Sequence, residues 1–295
     1  MDGHHLDWRL MTPEERLAYE ARVRTRQVVL AAAAGILLML AVVLQLGGPH
    51  VKVNEQTLGL VTENKRFTRD LIGSIISAIG FLSLAGTLGY LWGSTRARDP
   101  NAKPRFVGII AITGCVLSAV SVVAYITVYG IQAHHFVTHG SQTYPEANAL
   151  LTTPGLVIPQ LTNDLGLLLT AVGLVLVSMS AMRVGLLTRF LGYLGIIAGI
   201  LTIIPVVPIP IIEAYWLLAL AYLISGRWPS GVPPAWSTGQ IERWPGRPPG
   251  RPPREPLLGR GRAKPAAEPA PQPAGAPAPT STRSTTPKRK RKRRK

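Results

Sequence analysis

Three acidic residues stand inside or at the edge of long apolar stretches of this 295-residue sequence: Asp70, Asp164 and Glu213. An ionisable group within a membrane marks an ion or solute site by default. Asp70 and Asp164 each precede an apolar run, where a helix N-terminus by itself stabilises a carboxylate. Glu213 lies within the apolar stretch 208–225, after three prolines. The pattern predicts Glu213 and Asp164 as ligand or ion candidates, with a first-turn acid at the membrane interface as the alternative for Glu213.

Three histidines form a second group, His134, His135 and His139. His135 and His139 are four residues apart, so a continuous helix would place both on one face. With Asp164 or Glu213 on the same side, they offer the imidazole and carboxylate ligands that zinc prefers. The sequence lacks the His-Glu-x-x-His pattern of many zinc enzymes. A weak metal site and ordinary interfacial histidines both remain open, and no other cofactor is predicted.

The sequence ends in eight consecutive cations. Such a run attracts anionic leaflets, at about 1 kcal/mol for each cation near the surface, and it binds nucleic acid by counterion release. The predicted partners are therefore membrane lipids, with anionic lipid headgroups, RNA or an acidic protein bound through the tail. The alternative is a solvated segment that only fixes the C-terminus inside the cell. The run consists of Lys288, Arg289, Lys290, Arg291, Lys292, Arg293, Arg294 and Lys295.

The segment 227–263 is rich in tryptophan and proline and carries Trp228, Trp236 and Trp244 at intervals of eight. Tryptophan prefers the headgroup region of a membrane, so these residues are predicted interface anchors; extended packing on the end of a helix bundle is the alternative. The segment 264–295 has too few apolar residues to form a core and is predicted to be a disordered spacer with a polybasic end.

The elements that carry these residues are predicted from the hydropathy of the chain. Hydrophobic residues make up 47% and charged residues 16%, and the mean hydropathy is +0.22, which indicates a membrane protein. Four apolar runs approach the roughly 20 residues that a spanning helix needs, and the prolines divide a fifth region into two short helices. We predict an all-α polytopic transmembrane bundle of about six spans, with five as the alternative. The spans lie near 27–46, 71–93, 106–130, 165–182, 190–207 and 209–225.

Lysine and arginine set the predicted orientation, because cytoplasmic loops are enriched in them. The N-terminal segment 1–26 has five, the tail 227–295 has seventeen, and 131–163 has none. The first predicted outer loop does not fit this pattern, because it contains four lysine and arginine residues. Both termini are therefore predicted to be cytoplasmic in a multi-pass protein of the cell membrane, with 1–26 as an amphipathic segment that starts a helix at Thr12.

Small residues recur at helical spacing in the apolar runs, among them Gly195 and Gly199. Close approach of backbones through small residues holds membrane helices together. We expect these two glycines to pack within one chain; a homodimer face is the alternative.

Catalytic signatures are scarce. Cys115 is the single cysteine, which excludes an internal disulfide and a cysteine-based zinc site. The phosphate-binding loop, the nucleophile elbow and the dinucleotide fingerprint are missing from the sequence. The protein is therefore predicted not to be an enzyme.

Four segments between 183 and 245 form a distinctive pattern: Arg183-Val-Gly-Leu-Leu-Thr-Arg-Phe-Leu-Gly-Tyr-Leu-Gly-Ile-Ile-Ala-Gly199, Ala214-Tyr-Trp-Leu-Leu-Ala-Leu, Gly226-Arg-Trp-Pro and Pro233-Pro-Ala-Trp236. This pattern resembles a family of uncharacterised multi-span bacterial inner-membrane proteins of unknown function with a basic C-terminal tail. The resemblance implies membrane location and six spans, and it carries no catalytic residue.

Three functions follow from these patterns. The leading one is a non-enzymatic membrane scaffold or interaction protein that presents a cytoplasmic polybasic arm. The alternative is a small-solute or ion-coupled transporter that uses Glu213. The third is the metal site built on the three histidines.

Overall fold

The computed structural model describes residues 12–46, 56–102, 106–204, 210–229 and 231–242. Within these ranges the protein is all-helical and contains no strand. The helices are α1 (Pro13–Gln45), α2 (Gln56–Arg98), α3 (Val107–Thr138), α4 (Tyr144–Leu151), α5 (Pro154–Arg183), α6 (Arg189–Ile203), α7 (Ile211–Ile224) and α8 (Ala235–Thr238).

The first helix begins where the sequence predicts. The Thr12 hydroxyl accepts a hydrogen bond from the Glu15 amide at 3.3 Å, and the Glu15 carboxylate accepts one from the Thr12 amide at 2.9 Å. This capping box satisfies two amides that the helix leaves unpaired, and Pro13 suits the first helical position. From there α1 runs unbroken into the apolar residues, so the described part of the N-terminal segment and the first predicted span form one helix.

Four helices are long and apolar enough to cross a membrane: α1, α2, α3 and α5. Each covers one of the four long predicted spans to within one residue, and each continues past it at one end or both. Their outer surfaces are apolar, as lipid requires. On α1, for example, Val29, Ile36 and Val43 repeat every seven residues and are each at least half exposed. The fold is therefore that of a helical protein with multi-pass membrane architecture.

The Pro-rich region separates two shorter apolar helices, α6 and α7, with 15 and 14 residues. At 1.5 Å per residue each is about 20 Å long, less than the roughly 30 Å of a hydrocarbon core. Two separate helices are found as predicted, and they are shorter than the predicted spans 190–207 and 209–225. Their outer faces are also apolar, with Phe190 and Ile211 more than half exposed.

The helices pack in a closed ring. Going round it, α1 contacts α2, α2 contacts α3, α3 contacts α5, α5 contacts α6, α6 contacts α7, and α7 returns to α1. Glycines make the closest approaches: a Cβ at Gly199 would lie 2.8 Å from the Ala171 carbonyl oxygen. Gly195 in turn packs against Ser178. The predicted tertiary role of Gly195 and Gly199 is confirmed, because both face α5 of the same chain.

The predicted outer loop 131–163 is folded. Most of it belongs to the end of α3, to α4 and to the start of α5. A small core of Leu60, Ala133, Phe136 and Ala147 joins α3 and α4 to the first turns of α2.

The helical loop corrects the expected setting of two acids. Asp70 and Asp164 lie well inside α2 and α5 and not at helix N-termini. Both helices begin before the predicted spans, in sequence assigned to loops: 56–69 contains four charged residues, and 154–163 contains two prolines. Asp70 is paired with Arg66, one turn earlier, at 3.7 Å.

Candidate functional site

Residues 231–242, which we call the strap, lie across one end of the bundle. Hydrogen bonds attach the strap to α1 and to the turn between α5 and α6. Arg16 of α1 donates to the Gly239 carbonyl at 2.8 Å, and the Trp236 indole donates to the Leu186 carbonyl at 2.9 Å. The Glu242 amide donates to the Val184 carbonyl at 3.3 Å. The strap therefore connects α1 with the turn between α5 and α6.

Arg98, the last residue of α2, is the centre of this attachment. Its side chain is almost completely buried, and its five N–H donors match five hydrogen bonds. Two go to the Glu20 carboxylate at 2.6 and 2.9 Å, two to the Ala235 carbonyl at 2.8 and 3.1 Å, and one to the Ser94 carbonyl at 3.1 Å. A buried charge is tolerated when it is paired and fully hydrogen-bonded. Arg98 thus joins α1, α2 and the strap through one buried ion pair.

Trp236 adds an aromatic contact to this site. Its ring stacks on Tyr90 with 6.0 Å between centroids, and the Arg98 guanidinium carbon lies 5.2 Å from its centroid. Trp236 therefore packs on the end of the bundle, which was the alternative to a membrane anchor. Trp228 is half-buried beside Tyr222, and Trp244 lies outside the described residues.

Two glycines allow the strap to lie this close. Gly239 has φ +67°, and a Cβ there would stand 2.9 Å from the Pro13 carbonyl oxygen. Gly185 has φ +83° and faces the Glu242 carbonyl. Both positions combine a left-handed backbone, which glycine adopts without strain, with a close backbone contact.

A cavity of about 260 Å³ remains between α1, α2, α7 and the strap. Its volume is at or below the lower end of the range for small-molecule sites, which begins near 300 Å³. Its walls include Glu20, Tyr90 and Trp236 of the strap attachment, so we interpret the cavity as a packing gap beside that attachment. Its lining is Leu17, Glu20, Ala21, Arg24, Tyr90, Ile224, Trp236 and Ser237.

Basic residues gather at the end of the bundle that the strap covers. The contact between Glu20 and Arg98 places the start of α1 beside the end of α2. Packing of Gly192 against Met182 places the start of α6 beside the end of α5. These four helix ends carry Arg16, Arg22, Arg24, Arg26, Arg96, Arg98, Arg183 and Arg189.

The predicted ligand and ion candidates are not in one environment. Asp164 is exposed on α5, whereas Glu213 is buried in the first turn of α7. The oxygen Oε1 of Glu213 has no hydrogen-bond partner among the described residues.

The three histidines are exposed and make separate contacts. His135 and His139 share a helix face, as predicted, and their rings stack at 5.7 Å. His134 faces Asn64 at 3.4 Å, and His139 Nδ1 lies 2.7 Å from the Thr138 hydroxyl. In the described part of the chain, His, Cys, Asp and Glu form no group of three that could hold a metal ion. The site drawn from their spacing is not assembled here.

The ion pair of Glu20 and Arg98 was not predicted from the sequence. The partners are 78 positions apart, and each looks like an ordinary charge beside an apolar run. The available signal was the position of Glu20, an acid within the basic N-terminal segment that sets the orientation. The polybasic run 288–295 lies outside the described residues.

The fold and this site define a class of protein: a multi-helix protein of membrane-like architecture whose basic end is closed by a segment from the C-terminal part of the chain. Comparisons with protein-family models, with curated proteins and with solved structures gave no match.

Proposed function

We propose that the protein is a non-enzymatic membrane interaction protein that presents a basic C-terminal arm to a polyanion at the cytoplasmic face. The observation that carries the proposal is the docking of the strap through Arg98 on the basic end of the bundle. The arm continues from the last residue of the strap, Glu242, and ends in the eight cations. Docking therefore fixes where the arm begins.

The proposal includes the orientation and the span count. Six spans place both termini on one side, and the basic helix ends on that side fit the enrichment of cations in cytoplasmic loops. The apolar outer faces of α6 and α7 support contact of this pair with lipid. Because each of the two helices is shorter than a usual membrane span, an experiment must test whether the pair crosses the membrane twice.

Anionic lipid is the favoured partner of the arm. A strap held at the basic end of a membrane bundle keeps the beginning of the arm close to the leaflet surface. Each cation near that surface contributes about 1 kcal/mol, so eight together give strong attraction at low salt. RNA and acidic proteins offer the same charge and compete for the same residues.

The test uses the full chain reconstituted in nanodiscs of neutral lipid, with vesicles containing phosphatidylserine as the probe. We expect capture of these vesicles that weakens through a salt series, and loss of capture when the eight cations are replaced by glutamine. Neutral vesicles and a homopolymeric RNA are measured in parallel. Equal capture by wild type and variant, with matching circular dichroism, contradicts the proposal; preference for RNA over vesicles replaces the favoured partner.

A further inference from the structure

Glu213 differs from the other deeply buried glutamate, Glu20, in having no charge partner. Both are less than a tenth exposed. Glu20 binds the Arg98 guanidinium through both carboxylate oxygens. Oε1 of Glu213 is fully buried and accepts no hydrogen bond from the described residues. A role in holding the fold through an ion pair therefore explains Glu20 and leaves Glu213 unexplained.

The position of Glu213 along the bundle is also unusual. The carbonyl oxygen of the next residue, Ala214, lies 3.0 Å from the place of a Cβ at Gly35. Gly35 stands near the middle of the apolar part of α1, 27–45. The first turn of α7 therefore lies beside the middle of an apolar helix and not beside its end. This position does not fit the expected first-turn acid at the membrane interface.

The elements packed around Glu213 offer no cation. Next to α7, the apolar part of α1 has no ionisable residue, and α6 has Arg189 and Tyr193, which are both exposed. On α3, the Cys115 thiol lies within electrostatic reach of Glu213 and accepts a contact from the Thr170 hydroxyl at 3.7 Å. On α7 itself, the tyrosines at 215 and 222 are exposed. Among the described residues, the surroundings of the carboxyl are neutral.

Trp216 stands one turn along α7 from Glu213 and supplies no hydrogen bond to it. It is completely buried and donates its indole N–H to the Leu191 carbonyl at 2.9 Å. An indole has a single N–H donor, so none is left for the carboxylate.

These observations point to one ligand. An unpaired carboxylate is strongly disfavoured in apolar surroundings, and such a group neutralises by taking up a proton. We propose that Glu213 is a proton-binding site inside the bundle, where the carboxylic acid is the resting form and one proton is exchanged with water. The site is independent of the basic arm, so the two proposals fail or succeed separately.

A hydrophobic carbodiimide, dicyclohexylcarbodiimide, tests the site in the full chain in detergent or in membranes. The acid form protonates one nitrogen of the reagent, a carboxyl oxygen bonds to its central carbon, and rearrangement gives an N-acylurea that retains every atom of both reactants. We expect one adduct on the peptide containing Glu213, found by mass spectrometry. Labelling should fall about tenfold for each pH unit above the midpoint of titration, because the acid form becomes scarce.

Matched controls make the result decisive. Glu20 is an internal control: it is also less than a tenth exposed but is bound by the Arg98 guanidinium, so its labelling should be at least about tenfold lower. Glu213→Gln should remove the adduct, and Glu213→Asp should keep it if the glutamine variant does not fold. A water-soluble carbodiimide should label Glu213 poorly.

Two outcomes overturn the proposal. The first is the absence of an adduct on Glu213 in folded wild-type protein at every pH from about 5 to 9, the range over which such a group would change its charge. The second is protection by sodium or lithium ions at constant pH, which would assign a metal cation to the carboxylate in place of a proton.

Discussion

Arg98 and Glu20 form a two-pronged ion pair in the interior of one end of the bundle, with N–O distances of 2.6 and 2.9 Å. The pair joins the first helix to the last residue of the second. The same guanidinium holds the Ala235 carbonyl of the strap. Attachment of the strap therefore depends on a charge pair whose two members both belong to other helices, α1 and α2.

Removing the acid from this pair should loosen both contacts. In Glu20→Gln the Arg98 charge stays buried without its counter-charge, and we expect a loss of about 3–5 kcal/mol in the free energy of unfolding. The strap should also become more sensitive to protease. Thermal unfolding in detergent and limited proteolysis measure the two effects. The exposed Glu14→Gln is the control; an equal response of both variants would contradict a special role for the pair.

Gly239→Ala should detach the strap locally. The substitution adds a left-handed strain and places a Cβ 2.9 Å from the Pro13 carbonyl oxygen, for a combined cost of about 2 kcal/mol. Gly231→Ala is the matched control, because Gly231 also has positive φ but no atom within 4 Å of the added carbon. The difference in proteolysis rate between the variants measures the contact alone. Identical rates would show that Gly239 does not rest on α1.

Gly199→Ala should weaken the packing of α6 on α5. The new methyl group would stand 2.8 Å from the Ala171 carbonyl oxygen and 2.7 Å from Cγ2 of Val175, and both distances are shorter than van der Waals contact. Overpacking of this kind costs about 1–3 kcal/mol. At Gly93, by contrast, a Cβ meets nothing within 4 Å. Gly93→Ala should therefore raise stability by about 0.5–1 kcal/mol, the gain of alanine over glycine in a helix. Unfolding temperatures with opposite shifts are the expected result.

The path of α6 and α7 is decided by a protease-sensitive tag at the C-terminus of protein expressed in a bacterial inner membrane. We expect cleavage in inside-out vesicles and protection in intact spheroplasts, since six spans return the chain to the cytoplasm. Cleavage in spheroplasts would instead mean that the α6–α7 region crosses once and that the basic arm faces the envelope. A tag at the N-terminus, on the same side in the six-span arrangement, is the control.

Local signals in the sequence were sufficient for the elements themselves. The capping box of Thr12 and Glu15 begins α1, the apolar runs mark the four long helices, and the prolines after residue 204 separate α6 from α7. The packing of Gly195 and Gly199 was also predictable, because their spacing puts both on one helix face. Each of these features depends on residues within a few helical turns of one another.

Hydropathy predicted several helices to be shorter than they are, because it counts only the apolar residues of each helix. Both α2 and α5 begin before the predicted spans, and the start of α2 is held by a core in which Leu60 packs with Phe136 and Ala147. For that reason Asp70 and Asp164 lie inside helices that were expected to begin at them. A propensity-based boundary has no access to such contacts.

The tertiary structure alone decided which charges meet. Arg98 and Glu20 are 78 positions apart, and Arg16 bonds to a carbonyl 223 positions away. The sequence contains many arginines and few acids, so composition does not select one pair. Only the ring of packed helices brings these ends together and removes water from them, and the loss of water is what makes pairing obligatory for Glu20.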